Sequence, residues 1–270
     1  MKTFGTILGA GHIGKIHARR LRELGVEIFC ADGCENCLSA LRNSNVPENG
    51  FVLVSTPATS HFEYAERALE SGWNVFVEKP LATSVADAEN LIALAKERER
   101  ILFVGHSERF NPAFERFREN FCRKFLSESP ISVDFVRHNP FSDRGRDVSA
   151  AFDIGVHDFE LFYEIKRSVP GVSWENVRVN FDFLRDASLP ERFIRAKFEK
   201  GDGSVSWLEE NLGAPLGPGE TDALGREHAE FLDLLAQSKE ERAERLLPVW
   251  EGALFAVRMA ERYSSPNSAK

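Results

Sequence analysis

The chain has 270 residues, 43% of them apolar and 28% charged, and a formal net charge of -8. That length allows one large globular domain or two of ordinary size, and the acidic balance argues against nucleic acid or an acidic membrane as a partner. No stretch approaches the ~20 apolar residues of a membrane helix, and the opening residues lack a charged leader with a long apolar core, so a cytoplasmic location is expected.

The first 110 residues alternate short apolar runs with helical patterns. Thr3 to Leu8 reads as a strand, His12 to Leu24 as a helix, Val26 to Ala31 as a strand and Glu35 to Arg42 as a helix. Phe51 to Val54, Asn74 to Val77 and Ile101 to Val104 follow as strands, separated by helices at His61 to Ser71 and Ser84 to Arg98. Strands alternating with amphipathic helices predict an α/β class, with a parallel sheet covered on both faces. A Rossmann dinucleotide-binding domain is therefore expected over 1–112.

After Asn111-Pro112 the rhythm changes. Ala113 to Lys124 reads as a helix, Ile131 to Arg137 as a strand and Ser149 to Ile165 as a helix. Val177 to Leu184, Phe193 to Phe198 and Ser204 to Glu209 then follow as strands without intervening helices. That order predicts an α+β domain over 113–270 containing a mainly antiparallel open sheet. A Gly/Pro loop at 213–219 precedes two closing helices, about 222–237 and 247–263, which can pack partly against the first domain. Three of the four cysteines, Cys30, Cys34 and Cys37, fall close together. No further ligand follows at finger-like spacing, so no metal is expected. Reduced thiols are the reading, with a labile Cys34/Cys37 pair as the alternative.

Gly9-Ala10-Gly11-His12-Ile13-Gly14 fits G-x-G-x-x-G between a strand and a helix, the context that gives this motif meaning. The glycines permit a tight turn, close approach of a pyrophosphate and close helix–strand packing. The helix N-terminus then offers N–H groups to the phosphates. Asp32 ends the second strand, where a carboxylate accepts hydrogen bonds from a ribose diol and repels a 2′-phosphate, which favours NAD over NADP. The alternative for Asp32 is a turn or helix-capping residue.

Ser55-Thr56-Pro57-Ala58-Thr59-Ser60-His61 follows the third strand and Glu78-Lys79-Pro80 the fourth. Ligands of open parallel sheets bind outside the carboxyl ends of the strands, so both peptides fall on the rim where a nicotinamide would lie. Taken alone, Glu-Lys-Pro reads equally as a polar turn. Asp153 and His157 are four residues apart, hence on one helix face. An imidazole suits proton abstraction from a hydroxyl, and a lysine ammonium suits stabilisation of the resulting oxygen charge. The plain alternative for His157 is a core histidine.

The glycine motif, Ser55-Thr56-Pro57 with His61, Glu78-Lys79-Pro80, Gly105-His-Ser-Glu-Arg-Phe-Asn-Pro112 and Asp153-Ile-Gly-Val-His157-Asp158 occur in that order. Together they resemble the Gfo/Idh/MocA oxidoreductase family, in particular its UDP-N-acetylglucosamine 3-dehydrogenase-like members. The resemblance implies NAD-dependent hydride transfer at a ring carbinol carbon of a sugar, with a nucleotide sugar oxidised at its 3-hydroxyl. It also implies a homo-oligomer formed through the second sheet. Lys79 matches the family's active-site lysine, and Asp153 and His157 match its helix-borne acid and histidine; which of Lys79 and His157 is the principal base stays open. Gly9, Gly11, His12, Ile13, Gly14, Asp32, Ser55, Thr56, Pro57, His61, Glu78 and Lys79 are expected around the cofactor. Arg109, Phe110, Asn111 and Arg137, with Asp153 and His157, are expected around the substrate. His138, Arg144 and Arg146 extend a basic cluster that can meet a diphosphate or be solvated loop charge. A polyol, inositol or simple sugar dehydrogenase is the alternative, followed by a non-catalytic NAD-binding regulator on the same fold. The chain is shorter than most family members, and the shortfall is expected in the second domain.

Overall fold

The computed structural model describes residues 3–41 and 46–265, apart from the side chains of Cys34 and Leu38. The reading of Cys34 as half of a labile pair, and of Arg42 as a helix end, falls outside that description. Cys30 and Cys122 are free thiols.

The first half is a parallel sheet wrapped by helices. Its strands are β1 (Phe4–Leu8), β2 (Glu27–Ala31), β3 (Phe51–Val54), β4 (Asn74–Glu78) and β5 (Leu102–Gly105), in the order β2-β1-β3-β4-β5. Helices α1 (His12–Glu23), α2 (Cys34–Leu41), α3 (His61–Glu70) and α4 (Val85–Glu97) connect them. β3 and β5 are buried at every position, as continuous apolar strands covered on both faces must be. β2 is an edge strand, whereas the six-stranded doubly wound order would place one more strand outside it. Among the described residues the first half is therefore one strand short of that order, whereas the shortfall is expected in the second half.

The second half begins with α5 (Pro112–Phe125), started by Pro112 at its first turn and by the Asn111 side chain accepting from the Ala113 N–H. β6 (Glu128–His138) leads to a π-helical turn (Ala151–Gly155) that runs into α6 (Val156–Ser168). β7 (Arg178–Leu184), β8 (Glu191–Lys200) and β9 (Val205–Asn211) complete a sheet of order β7-β6-β8-β9. The β6–β8 and β8–β9 pairs are antiparallel, but β6–β7 is parallel. The reason is the helix between β6 and β7, which supplies the crossover that a parallel pair needs. Phe114, Phe117 and Phe121 of α5 pack with Phe135, Leu161, Ile165, Ile194 and Phe198 into one core.

Two helices close the chain. α7 (Ala223–Ala236) starts at the Asp222 cap, and α8 (Lys239–Ser264) starts at a Ser238/Glu241 capping box and continues through Pro248. The closing helix expected from about 247 begins earlier, at Lys239. Phe231 of α7 and Trp250, Ala253, Ala256 and Val257 of α8 belong to the core of the first half. Phe231 meets Phe51, Phe76 and Phe103 at ring-centroid distances of 5.0, 5.2 and 5.5 Å, and Trp250 donates its indole N–H to the Leu102 carbonyl (2.8 Å). Among the described residues no helix is long and apolar enough to cross a membrane.

Candidate active site

The glycine turn forms where β1 hands over to α1. Gly9 has φ +93°, a conformation costly for other residues. A Cβ on Gly14 would run into the Gly9 carbonyl oxygen, whereas one on Gly11 would meet nothing within 4 Å. The loop is thus tight on its protein side and open on the other. No side chain caps the first turn of α1, so its N–H groups and helix dipole face that opening, as a phosphate requires. Gly11, His12, Lys15, Ile16 and Arg19 line a concavity beside it. Asp32 stands next to the loop, its Oδ1 accepting the Ala10 N–H at 3.3 Å. These residues fit a dinucleotide.

The peptides after β3 and β4 are bonded to each other. Ser55 Oγ donates to the carbonyls of Leu8 (3.1 Å) and Gly9 (2.9 Å), tying the glycine turn to β3. Thr56 Oγ1 accepts from Ser60 Oγ at 2.9 Å, and Pro57 precedes a short 3-10 turn over Ala58–Ser60. His61, expected at the cofactor, is buried and spans the Pro80 carbonyl (2.7 Å) and the Thr56 carbonyl (2.9 Å). It braces two loops, and burial lowers its affinity for a proton. Glu78 is likewise committed inward, with Oε1 bonded to His17 Nε2 at 2.7 Å and Oε2 accepting the Lys79 N–H at 3.2 Å.

Lys79 crosses to the second half. Its Nζ donates to the Asp153 backbone carbonyl at 2.5 Å and lies 3.4 Å from Asp153 Oδ1. Asp153 sits in the π-helical turn, and its Oδ2 lies 3.8 Å from Arg185 Nη1. Gly145, at φ +68°, abuts the same carboxylate so closely that a Cβ would displace it. Arg185 holds that glycine's loop by donating to the carbonyls of Gly145 (2.8 Å) and Val148 (3.1 Å). His157 follows one turn later, half-buried, its Nδ1 without a hydrogen-bond partner among the described residues. Burial first, then the Lys79 and Arg137 cations, push its pKa well below the ordinary 6.5, which keeps the imidazole neutral. Asp153 and the His157 ring, though four residues apart, are joined by no hydrogen bond among the described residues. The wider π turn intervenes, and the Asp153 carboxylate faces Lys79 and Arg185 instead.

Residues 12–106 match the model of an oxidoreductase family with an NAD-binding Rossmann fold. That stretch carries the likeness to the Gfo/Idh/MocA family. Over 166 residues it is 29% identical to a UDP-N-acetylglucosamine 3-dehydrogenase of Acidithiobacillus ferrooxidans, covering 57% of this chain and 51% of that one. Over 162 residues it is 47% identical to an uncharacterized oxidoreductase of Escherichia coli, covering 58% and 46%. These matches span about half the length of each relative. A solved structure of the A. ferrooxidans enzyme superposes with a TM-score of 0.69 at 19% identity, covering 97% of this chain and 96% of that one, so the fold is shared across both halves.

The residues expected at the substrate are largely occupied elsewhere. Arg109 pairs with Glu164 (3.0 Å) and lies 3.6 Å from Glu160. Burial raises Glu160 to a pKa of about 8, so it is mostly protonated at neutral pH, while Glu164 answers Arg109, Arg118 and Arg167. Phe110 packs against the first core. Asn111 caps α5 and donates to the Leu212 carbonyl at 2.9 Å. Arg137 is 3% exposed and donates twice to Asp158 Oδ1, at 2.7 and 3.0 Å, so it cannot belong to a solvated basic patch. The reason is shared: a guanidinium buried beside carboxylates is retained by them, since unpaired burial is costly. His138 faces Asp182 and Glu191, and Arg146 pairs with Asp186 over the Phe141 ring. Arg144 lies exposed on the same loop. Sequence reasoning missed His17, His106, Gly145, Arg185, Glu227 and His228. His106, directly after β5, was within sight, since it opens the run to Pro112. Burial beside the Arg109 cation brings its pKa down to about 3.

Proposed function

We propose that this chain is an NAD-dependent oxidoreductase acting on a ring carbinol carbon of a sugar, specifically the 3-position of a nucleotide sugar resembling UDP-N-acetylglucosamine. The observation that carries the reading is the Lys79 ammonium reaching across from the end of β4 to Asp153, beside a neutral His157. When bound, the dinucleotide supplies the hydride acceptor or donor. Gly9, Gly11, Gly14 and the first turn of α1 would hold its pyrophosphate. Asp32 would take the ribose hydroxyls, and a carboxylate there disfavours the 2′-phosphate of NADP.

The chain's own residues then manage the proton. An ammonium has three N–H donors, and Lys79 directs two toward Asp153. The third is free to hold the substrate oxygen and stabilise negative charge as it develops. The neutral imidazole of His157 is an acceptor for the hydroxyl proton, whereas an imidazolium would not be. Asp153 positions the lysine rather than the imidazole. Of the basic cluster, Arg144 and Arg146 on the loop that carries Gly145 are the groups for a diphosphate. The outward face of the second sheet, where Arg195 and Lys197 lie over the exposed Trp207, is the surface for a homo-oligomer.

Absorbance at 340 nm with NAD or NADP against UDP-sugars, free sugars and inositols tests this reading. Reduction of NAD with UDP-N-acetylglucosamine is expected. Turnover of inositol alone would move the assignment to the polyol dehydrogenases, and cofactor binding without turnover on any substrate would leave a regulator.

A further inference from the structure

Behind Lys79 runs a line of buried side chains that the proton chemistry above does not use. Glu78 Oε1 lies 2.7 Å from His17 Nε2, and His17 Nδ1 lies 2.7 Å from His228 Nε2. The other Glu78 oxygen accepts the Lys79 N–H. Both imidazoles are fully buried, with the Phe76 ring packed edge-on against each. The three residues come from β4, from α1 and from α7, more than 200 positions from the glycine motif.

The hydrogen positions follow from donor counting. An ionised carboxylate only accepts, so His17 must carry its hydrogen on Nε2. A neutral His17 then has a bare Nδ1, and His228 must donate to it from Nε2. The remaining His228 nitrogen, Nδ1, is left bare, in keeping with its lack of a partner among the described residues. Were His17 doubly protonated, the bond would reverse and leave a buried His228 N–H with no acceptor, which is unfavourable. Burial, with His17 and Arg20 nearby, brings the His228 pKa down to about 3. Its neutral donor form therefore persists through neutral pH.

We propose that His228 is a positioning residue for the active-site lysine: its N–H holds the bare Nδ1 of His17, which keeps the ring aimed at the Glu78 carboxylate, which anchors the backbone of Lys79. The consequence for turnover rests on the dehydrogenase reading; the tautomer does not. Charged neighbours set the scene on every side. Lys79 and His61 face Glu78, Glu227 lies across from it, and Arg20 and Asp222 flank His228. The His17 bond holds Glu78 below the usual carboxylate range despite its burial. Without that bond, burial would raise it.

The test uses the full chain with 15N-labelled histidine and no added ligand, the His17 signals being assigned by their loss in His17→Gln. His17 is expected as the Nε2–H tautomer in the wild type. The same tautomer is expected in His228→Gln, whose amide keeps an N–H at the Nε2 position, and in His228→Leu, where Glu78 still demands Nε2–H but the bare His17 Nδ1 loses its hydrogen bond and its 15N signal should move downfield. On a sugar substrate, His228→Leu should lose about tenfold in kcat with little change in KM. It should also gain an acid limb as Glu78 takes up a proton, and His228→Gln should recover most of the loss. A wild-type His17 carrying its hydrogen on Nδ1 would overturn the proposal even if no variant folds. So would His228→Leu with an unchanged His17 Nδ1 signal and pH profile. A wild type with the expected tautomer but no turnover on any sugar would sink the dehydrogenase reading and leave the tautomer assignment standing.

Discussion

Two peptides meet at the candidate site, and they are held by different means. Glu78-Lys79-Pro80 ends a central strand between β3 and β5 and is braced by the buried His17 and His61. The loop around Gly145 is held by contacts near solvent. Thr59 donates its N–H to Asp147 at 3.2 Å, Arg146 pairs with Asp186, and Ser149 Oγ meets Ser264 Oγ at 2.5 Å. Buried bonds are costly to break because the abandoned group stays away from water, whereas exposed ones exchange readily with solvent. The lysine is therefore placed on the rigid side of the cleft, and the groups that would meet a substrate's variable parts lie on the adaptable side. One Rossmann scaffold can in this way keep its hydride chemistry while its substrate loop diverges.

Replacing Lys79 with Ala is the strongest way to break that picture. A fall in kcat of about 10³-fold is expected, with NAD affinity by fluorescence quenching retained; turnover near wild type would remove the lysine from the chemistry. His157→Asn should cost about 10²-fold. Because burial and nearby cations lower the wild-type imidazole well below 6.5, kcat/KM for oxidation should stay level as pH falls through that value and decline only below it. In the residual activity of Lys79→Ala this acid limb should move to higher pH, since a repelling cation is gone. A limb centred at or above 6.5 in the wild type would contradict the neutral-imidazole assignment.

Smaller effects probe the loop. Gly145→Ala pushes a methyl group into the Asp153 carboxylate and should cost about tenfold in kcat, through displacement of the lysine's partner. Asp147→Ala removes only an exposed bond to Thr59 and should alter kcat or KM by about twofold at most, with stability changed by less than about 1 kcal/mol. If Asp147→Ala proved as damaging as Gly145→Ala, the loop would be as rigid as the strand end, and the contrast between the two sides would fail.

Most of the architecture could be read along the chain. The β1, β3, β4 and β5 runs are apolar and short, and their helices carry local signals such as the Ser84, Asn111 and Asp222 caps. The glycine motif was equally legible, because its meaning lies in neighbours a few residues away, whereas Glu78-Lys79-Pro80 taken alone reads equally as a polar turn. Where reading failed, the deciding contact was distant or the local rule was overridden. The parallel β6–β7 pair depended on how α6 crosses the sheet, and Pro248 was carried within α8 by packing against the first core.

Side-chain identity alone therefore determined the glycine turn, the alternation of strands and helices, and the presence of lysine, aspartate and histidine in a recognisable order. It could not determine which of those charges would find one another. Arg109 and Arg137 are as basic in the sequence as Arg144, yet buried Glu164 and Asp158 retain the first two while the third remains exposed. Likewise nothing near His17 announces His228, 211 residues away. Such pairings are settled by burial: once the helices enclose a polar group, it must find a partner within reach, and only the tertiary fold defines that reach.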